Sequence, residues 1–441
     1  MKLAYNVKDK PKFGQLLVFA LQQLLAIMAA TIAVPNIIGN GMSPAAALFG
    51  AGAGTIIYLL FTKFSSPVFL GSSFAFLGSM GAAFGGAASV SVGYAGLLIG
   101  AIFAGLVYVL IAVIVKLVGV NWINKIMPAV VIGPTVAIIG LSLAVNAVGD
   151  LQKASFGTAN VYLCILVGLV TLAVTMICSV YGKGFIKMIP FVMGIVAGYA
   201  LAAIFTVIGD ATGNEALRMI NFAAFENMQW IPEFSFVKAF EGFKSIDGAY
   251  IASIAVGYVP VAFVVFAEHI ADHKNISSII ESDLLENPGL HRTLLGDGVG
   301  SMVGAFFGGC PNTTYGESIG CVAISGNASV VTILTTAIMA MVISFVAPFS
   351  TFLATIPSCV MGGVCMALYG FIAVSGLKMV QKVDLEDNRN LFTVSVILIA
   401  GIGGLSITVG KITITTIACA LILGILTNVM LSGKKKSEDK E

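Results

Sequence analysis

Long apolar runs recur along most of the chain, and short polar stretches separate them. A helix needs about 20 apolar residues to cross the hydrocarbon core of a bilayer. The pattern therefore predicts an all-α polytopic membrane protein with fourteen transmembrane segments. The third and tenth are short and interrupted by Pro, Gly and Ser, so we expect neither to cross as a plain helix. The predicted segments span residues 14–38, 46–62, 67–83, 94–118, 127–148, 160–179, 187–209, 248–271, 292–309, 312–325, 327–348, 353–376, 391–409 and 411–431.

The composition agrees with a membrane protein and excludes a soluble globular one. Of the 441 residues 58% are hydrophobic and only 10% are charged, whereas a soluble domain carries about 25% charged residues. A net charge of +2, with no basic block that includes aromatic residues, predicts that nucleic acid is not a partner. None of the seven cysteines forms a CxxC pair, so we expect neither a disulfide framework nor a metal site.

Lys and Arg predict the orientation in the cell membrane. With fourteen segments both termini share one side, and eighteen of the 23 basic residues fall there. The positive-inside rule therefore puts both termini in the cytoplasm. The long acidic stretch 210–247 becomes an extracellular loop that joins two halves of seven segments each. The first apolar run is too long for a cleavable signal peptide.

The two halves contain a faint repeat at an offset of 229 residues. An odd number of segments per half gives the halves opposite orientations, and inverted repeats with interrupted helices at matching ranks are typical of transporters. We therefore predict a 7+7 inverted repeat whose binding site lies at segments three and ten. The repeat pairs "MPAVVIGP" at Met127 with "IPSCVMGG" at Ile356, and it matches Pro128 with Pro357, Val131 with Val360 and Gly133 with Gly362.

Four carboxylates lie in or near apolar segments: Glu268, Asp272, Asp297 and Glu317. A charge at bilayer depth costs about 2.5–3.5 kcal/mol, so each is a functional candidate. Glu268 and Asp272 are one helical turn apart, and two like charges facing one cavity favour a proton on one of them. For Asp297 a proton relay and an interfacial hydrogen-bond anchor both stay open.

A structural alternative is that Glu268 to His273 is simply the hydrated cytoplasmic end of segment eight. We favour this interpretation for His273 and Lys274, and a functional role for Glu268. Asp272 fits both, and His269 points away from Glu268.

The stretch "PNTTYGES" interrupts the tenth segment. Turn chemistry followed by β-favouring residues predicts a short extended piece that leads into a half-helix, whose first N–H groups lack partners. Gly316 would let a ligand approach this backbone, Phe74 and Tyr315 offer flat apolar faces, and Glu317 is an acceptor. A planar cyclic amide or imide fits such a site. Alternatively, Glu317 lies at the polar lip of a re-entrant loop and Tyr315 is a packing residue.

Several motifs resemble the nucleobase–ascorbate transporter family. They are "QQLLAIMAATIAVPNIIG", "GSSFAFLGSM", "AEHIADHKNISSIIESDLLENPGLHRTLLGDG", "GCPNTTYGESIGCVAISG" and "PSCVMGGVCMALYGFIAVSGLK". The resemblance implies a core domain of segments 1–4 and 8–11, a gate domain of segments 5–7 and 12–14, and short antiparallel strands in segments three and ten. The implied divisions are 1–13 (N-terminus), 14–118 (core), 119–209 (gate), 210–247 (loop), 248–348 (core), 349–431 (gate) and 432–441 (tail).

The resemblance also implies site residues and a substrate. Uracil would be held by Glu268, Glu317 and the backbone amides of Phe74 and Gly316, near Tyr315. Tyr369 of the gate domain would lie near the site.

Two departures from the family concern coupling. Gln23 replaces a family histidine in segment one. Asp272 replaces the histidine four residues past the glutamate, so proton coupling would fall to Glu268, Asp272 or His273.

These observations together predict a proton-coupled uracil symporter with no cofactor other than the proton, and they leave a homodimer open. A xanthine or purine permease of the same fold is the nearest alternative. An anion exchanger is disfavoured by the carboxylates, and a passive channel by acids beside broken helices. The chain contains no HExxH, DDxxD or GxSG motif of an intramembrane enzyme.

Overall fold

A computed structural model describes residues 3–119, 128–154, 156, 158–409 and 412–431 of the chain. Lys125, Met127, Lys411 and the tail 432–441, which enter the predicted topology, lie outside the described residues.

Helices make up most of the described chain, and eight of them are long and apolar enough to cross a membrane. The eight include α5 and α6, which count as one span with a break at Leu143. The helices are α1 (Phe13–Ile38), α2 (Pro44–Phe61), α3 (Leu77–Gly85), α4 (Val90–Val118), α5 (Ala129–Ser142), α6 (Ala144–Leu151), α7 (Val161–Tyr181), α8 (Phe185–Met188), α9 (Pro190–Thr212), α10 (Ser235–Ala239), α11 (Gly248–Ile280), α12 (Leu290–Gly308), α13 (Gly316–Ser325), α14 (Val330–Ile343), α15 (Ala347–Thr355), α16 (Ser358–Val380), α17 (Asn388–Ile402) and α18 (Thr416–Leu431).

Two pairs of short antiparallel strands interrupt this helical architecture. β1 (Leu70–Ser72) pairs with β2 (Asn312–Thr314), and β3 (Ile407–Val409) pairs with β4 (Ile412–Ile414). β1 and β2 are buried, and each leads into a short helix, α3 through a 3₁₀ turn and α13 directly. Backbone groups at membrane depth must be paired, and the β1–β2 pairing satisfies those where the two interrupted segments meet.

Glycines let α2 and α12 approach each other closely. A Cβ on Gly54 would lie 2.6 Å from the carbonyl oxygen of Gly300, and one on Gly300 would lie 2.7 Å from that of Gly54. One turn along, a Cβ on Gly50 would meet the carbonyl oxygen of Gly304. Each helix therefore carries two glycines four residues apart, a spacing that allows close contact between membrane helices.

The prolines of the repeat have matching local structures. Pro128 immediately precedes α5 and Pro357 immediately precedes α16, and both adopt extended backbone angles at the N-cap. Because proline cannot continue a helix in the N-terminal direction, each residue sets the start of its helix.

The predicted segments thirteen and fourteen differ from the structure. They were expected as apolar runs over 391–409 and 411–431, but helix α17 stops at Ile402 and α18 starts at Thr416. Strands β3 and β4 lie between them. The sequences Ile-Thr-Val and Ile-Thr-Ile alternate apolar and polar β-branched residues, and this favours strand over helix.

Two further predicted segment boundaries differ from the helix boundaries in the structure. The predicted segment 248–271 is part of α11, which continues to Ile280. The predicted segment 327–348 corresponds to α14, followed by α15 at a bend of 85°. Hydropathy alone cannot locate these ends because helices extend beyond the apolar region.

Candidate functional site

A cavity of about 330 Å³ lies where α11, α13 and α16 meet the ends of α7, α8 and α9. Three of the lining side chains on α11 and α13 are acidic, namely Glu268, Asp272 and Glu317. The wall formed by α9 and α16 is largely apolar. Such a combination suits a small, flat, polar ligand. The lining residues are Ala26, Val136, Ser179, Lys187, Pro190, Phe191, Glu268, Ala271, Asp272, Gly316, Glu317, Gly320, Cys321, Ile324, Phe371, Ile372, Ser375 and Met379.

One face of α11 contributes Glu268 and Asp272 to this cavity. Their spacing of four residues puts both carboxylates on the same side of the helix. The hydroxyl of Thr314 on β2 donates a 2.7 Å hydrogen bond to Asp272 Oδ2. Glu317 on α13 lines the same cavity, so three carboxyl groups converge on one space.

The start of α13 forms the facing wall. Gly316 and Glu317 are its first two residues, and the N-cap Tyr315 makes no side-chain capping bond. The first N–H groups of a helix have no partner within it and attract oxygen acceptors. A Cβ on Gly316 would meet nothing within 4 Å, so the backbone there borders open space in the cavity.

The three aromatic candidates do not line the cavity. The hydroxyl of Tyr315 donates a 2.8 Å hydrogen bond to the carbonyl of Ser72, and its ring packs against Gly71. Phe74 meets Tyr369 edge to face, with ring centroids 5.6 Å apart. The structure thus brings Glu268, Asp272, Gly316 and Glu317 together and leaves these three rings in neighbouring packing.

His273 does not lie in the cavity either, and the prediction that it sits at a hydrated helix end is wrong. It is fully buried, its Nδ1 lies 2.8 Å from the carbonyl of His269, and its Nε2 lies 2.6 Å from the hydroxyl of Tyr58. The reason is that α11 continues for seven residues beyond it. Lys274, its neighbour, is exposed as expected.

Asp297 on α12 is buried and does not line the cavity. Its Oδ2 lies 2.6 Å from Nδ1 of His269. His269 follows Glu268 in sequence and, as expected, points elsewhere.

Sequence reasoning did not find the polar contacts that hold the site in place. They are made by Thr314, by Ser318 and by Gln23, which the sequence singled out only as a departure from the family. The amide of Gln23 hydrogen-bonds the carbonyl and the hydroxyl of Ser318, and that hydroxyl also accepts a 3.0 Å bond from the backbone N–H of Phe69. These contacts join α1, the residue preceding β1, and α13. A glutamine inside an apolar run was the available signal, because buried amides need partners.

The comparisons with known proteins show the family. The model of the "Permease family" matches residues 14–410. A uracil permease of Bacillus subtilis (strain 168) is 38% identical, over 99% of this chain and 97% of its own length. A uracil permease of Bacillus caldolyticus is 37% identical with the same coverage, and one of Escherichia coli (strain K12) is 35% identical over 96% of this chain and 92% of its length.

Solved structures show the same fold at low sequence identity. The transmembrane domain of the cyanobacterial bicarbonate transporter BicA superposes with a TM-score of 0.62 at 16% identity, covering 96% of this chain and all of that one. The structure of SLC26A9 gives a TM-score of 0.65 at 10% identity and covers 96% of this chain and 66% of that one. This likeness concerns the fold alone.

The fold, the acidic cavity beside an interrupted helix, and the full-length relatives agree. The chain is a multi-pass membrane transporter, not an enzyme, and it belongs to the nucleobase–ascorbate transporter family.

Proposed function

We propose that the protein carries uracil into the cell together with protons by alternating access. The observation that carries this proposal is the convergence of Glu268, Glu317 and the N-terminus of α13 on one cavity. The sequence relatives named as uracil permeases, at 35–38% identity over nearly the whole chain, support the same substrate.

Uracil complements this cavity chemically. Its ring N–H groups are donors for the carboxylates of Glu268 and Glu317, and a ring carbonyl is an acceptor for the N–H group at Gly316. Hydrogen bonds to charged groups are worth about 1.5–3 kcal/mol each. An anion would be repelled by three acids, although Lys187, the one basic side chain among the described lining residues, lies at the end of the cavity.

We further propose that the chain forms fourteen segments in two inverted halves. The core domain spans 14–118 and 248–348, and the gate domain spans 119–209 and 349–431. The matching N-cap prolines before α5 and α16 support the repeat. The acids and Gly316 belong to the core, whereas Phe371, Ser375 and their neighbours belong to the gate, so the cavity lies between the two domains.

The cavity extends to Ser179 and Lys187. With both termini in the cytoplasm, these residues lie toward the cytoplasmic side. The arrangement is then inward-facing, and the contact of Phe74 with Tyr369 lies on the other side of the site. Inward transport would require the core to move relative to the gate so that this contact opens.

The proposed function is tested by uptake of radiolabelled uracil into proteoliposomes, with and without an imposed pH gradient. We expect saturable uptake that the gradient raises above equilibrium and that unlabelled uracil abolishes. If xanthine competes instead of uracil, the substrate is a purine. Uptake that neither saturates nor depends on pH contradicts the proposal.

A further inference from the structure

A second polar centre lies on the neighbouring face of α11, about 100° around the helix axis from Glu268. His269 is fully buried, and Asp297 on α12 is 1% exposed. Nδ1 of His269 lies 2.6 Å from Asp297 Oδ2, and Nε2 lies 3.0 Å from the hydroxyl of Thr293. The substrate site described above does not use this pair.

Counting donors and acceptors shows where a proton must be. The hydroxyl of Thr293 lies 3.0 Å from both the carbonyl of Leu290 and Nε2, so its single proton can go to either one. In a neutral ring either Nε2 or Nδ1 carries the hydrogen, and in the first case Nδ1 would present a lone pair to Oδ2. Two acceptors 2.6 Å apart repel, so in both cases a proton lies between Nδ1 and Oδ2.

The other oxygen of Asp297 borders a small void. Among the described residues, neither Asp297 Oδ1 nor the hydroxyl of Tyr108 has a hydrogen-bond partner, and both are buried. Both residues line a space of about 10 Å³ together with Ser301 and Asn312. A single water needs about this much room and two to four polar partners.

This centre is connected to the substrate cavity by α11 and by β2. His269 directly follows Glu268 on α11. Asn312, at the void, and Thr314, which binds Asp272, are the first and last residues of β2.

The titratable groups around the pair are few. Tyr108 faces His269 from α4, with ring centroids 6.1 Å apart. From α2, the hydroxyl of Tyr58 lies 2.6 Å from Nε2 of His273. On α11 itself, His273 stacks on His269, with centroids 3.9 Å apart. The nearby acids Glu268 and Asp272 complete the set.

We propose that the coupling proton is held between His269 Nδ1 and Asp297 Oδ2, beside a one-water site formed with Tyr108, Ser301 and Asn312. This inference rests on the proposed proton-coupled function. When the proton leaves, Nδ1 and Oδ2 become two facing acceptors, and the contact between α11 and α12 must change. Release of the proton is thereby linked to movement of the helix that carries Glu268.

The test is Asp297→Asn, which keeps the shape of the side chain. Its amide donates to Nδ1 of a neutral His269, so the contact survives without a transferable proton. In proteoliposomes we expect uracil counterflow to persist while accumulation driven by a pH gradient is lost. Uracil affinity in detergent should stay within about threefold of wild type, since the cavity contacts are unchanged. Glu286→Gln, at an exposed position, is the matched control and should accumulate uracil normally.

Accumulation by Asp297→Asn with the wild-type dependence on the gradient overturns the inference and leaves the proposed function intact. Absence of gradient-driven uptake by the wild type overturns the function itself. If Asp297→Asn does not fold, ¹⁵N-histidine NMR of the wild type decides, because the chain has only three histidines. A strongly hydrogen-bonded proton at Nδ1 of His269 supports the inference, and a free Nδ1 lone pair contradicts it.

Discussion

Two neighbouring faces of α11 differ, although each acid on one face is followed directly in sequence by a histidine on the other. Glu268 and Asp272 face a cavity with room for a ligand, while His269 and His273, each one residue further on, are fully buried and hydrogen-bonded within the protein. A spacing of four residues keeps each pair on one side of the helix.

On the proposals made above, the first face serves substrate recognition and the second serves helix anchoring and proton storage. Acids that face open space can exchange partners with a ligand. Histidines whose ring nitrogens are already bonded cannot do so without breaking contacts to α12 or α2. A single helix thus carries two functions that respond to each other through its movement.

Glu317→Ala is expected to have the largest effect, because it removes an acceptor from the cavity face. Loss of charge-assisted bonds worth about 1.5–3 kcal/mol each predicts uracil binding at least about tenfold weaker, measured by titration calorimetry on purified protein. Glu286→Gln serves again as the control. Wild-type affinity in Glu317→Ala would remove this residue from the binding site.

His273→Ala attacks the buried face and should act on stability. It removes the contact of Nε2 with the hydroxyl of Tyr58, which keeps Ser66 as a partner, and it leaves a cavity where a fully buried ring was. A lost hydrogen bond costs about 0.5–1.5 kcal/mol, and the cavity adds to that cost. We expect a lower melting temperature in a thermal unfolding scan. Lys274→Ala, at the exposed neighbouring position, should melt like the wild type. Equal melting temperatures for the two variants would show that the buried face does not anchor α11.

Thr314→Val is expected to have a moderate effect, since it removes the donor to Asp272 but keeps the shape of the side chain. A lost hydrogen bond of about 1 kcal/mol predicts uracil affinity that is a few-fold lower, or a shift in the pH dependence of binding. Thr313→Val is the matched control, because the hydroxyl of Thr313 has no partner among the described residues. Identical behaviour of the two variants would deny Asp272 a place in the site.

Tyr315→Phe should have the smallest effect. Its hydroxyl bonds the carbonyl of Ser72 and is not part of the cavity lining. The expected loss is about 1 kcal/mol of stability, with little change in affinity measured by the same calorimetry. A large loss of affinity without loss of stability would instead favour direct contact with uracil.

Much of the fold and of the acidic site could be predicted from sequence. Long apolar runs indicated a polytopic membrane protein because the bilayer demands them, and the cost of intramembrane charge selected Glu268 and Glu317 as candidates. The interruption at Pro311 to Glu317 indicated irregular backbone at the site, and β2 followed by the start of α13 lies there.

The remaining features depend on long-range contacts that a hydropathy pattern does not contain. The burial of His273 arises from Tyr58, 215 residues away, and Gln23 meets Ser318 across 295 residues. The strands between α17 and α18 were missed because alternating Ile and Thr still average to an apolar segment.

The most direct test of the account is a structure of the purified protein with uracil bound. We predict density for one uracil ring in the cavity, with its N–H groups facing Glu268 and Glu317 and a carbonyl at the N-terminus of α13. Uracil bound elsewhere, or a cavity in which these two carboxylates do not contact the ring, would contradict it.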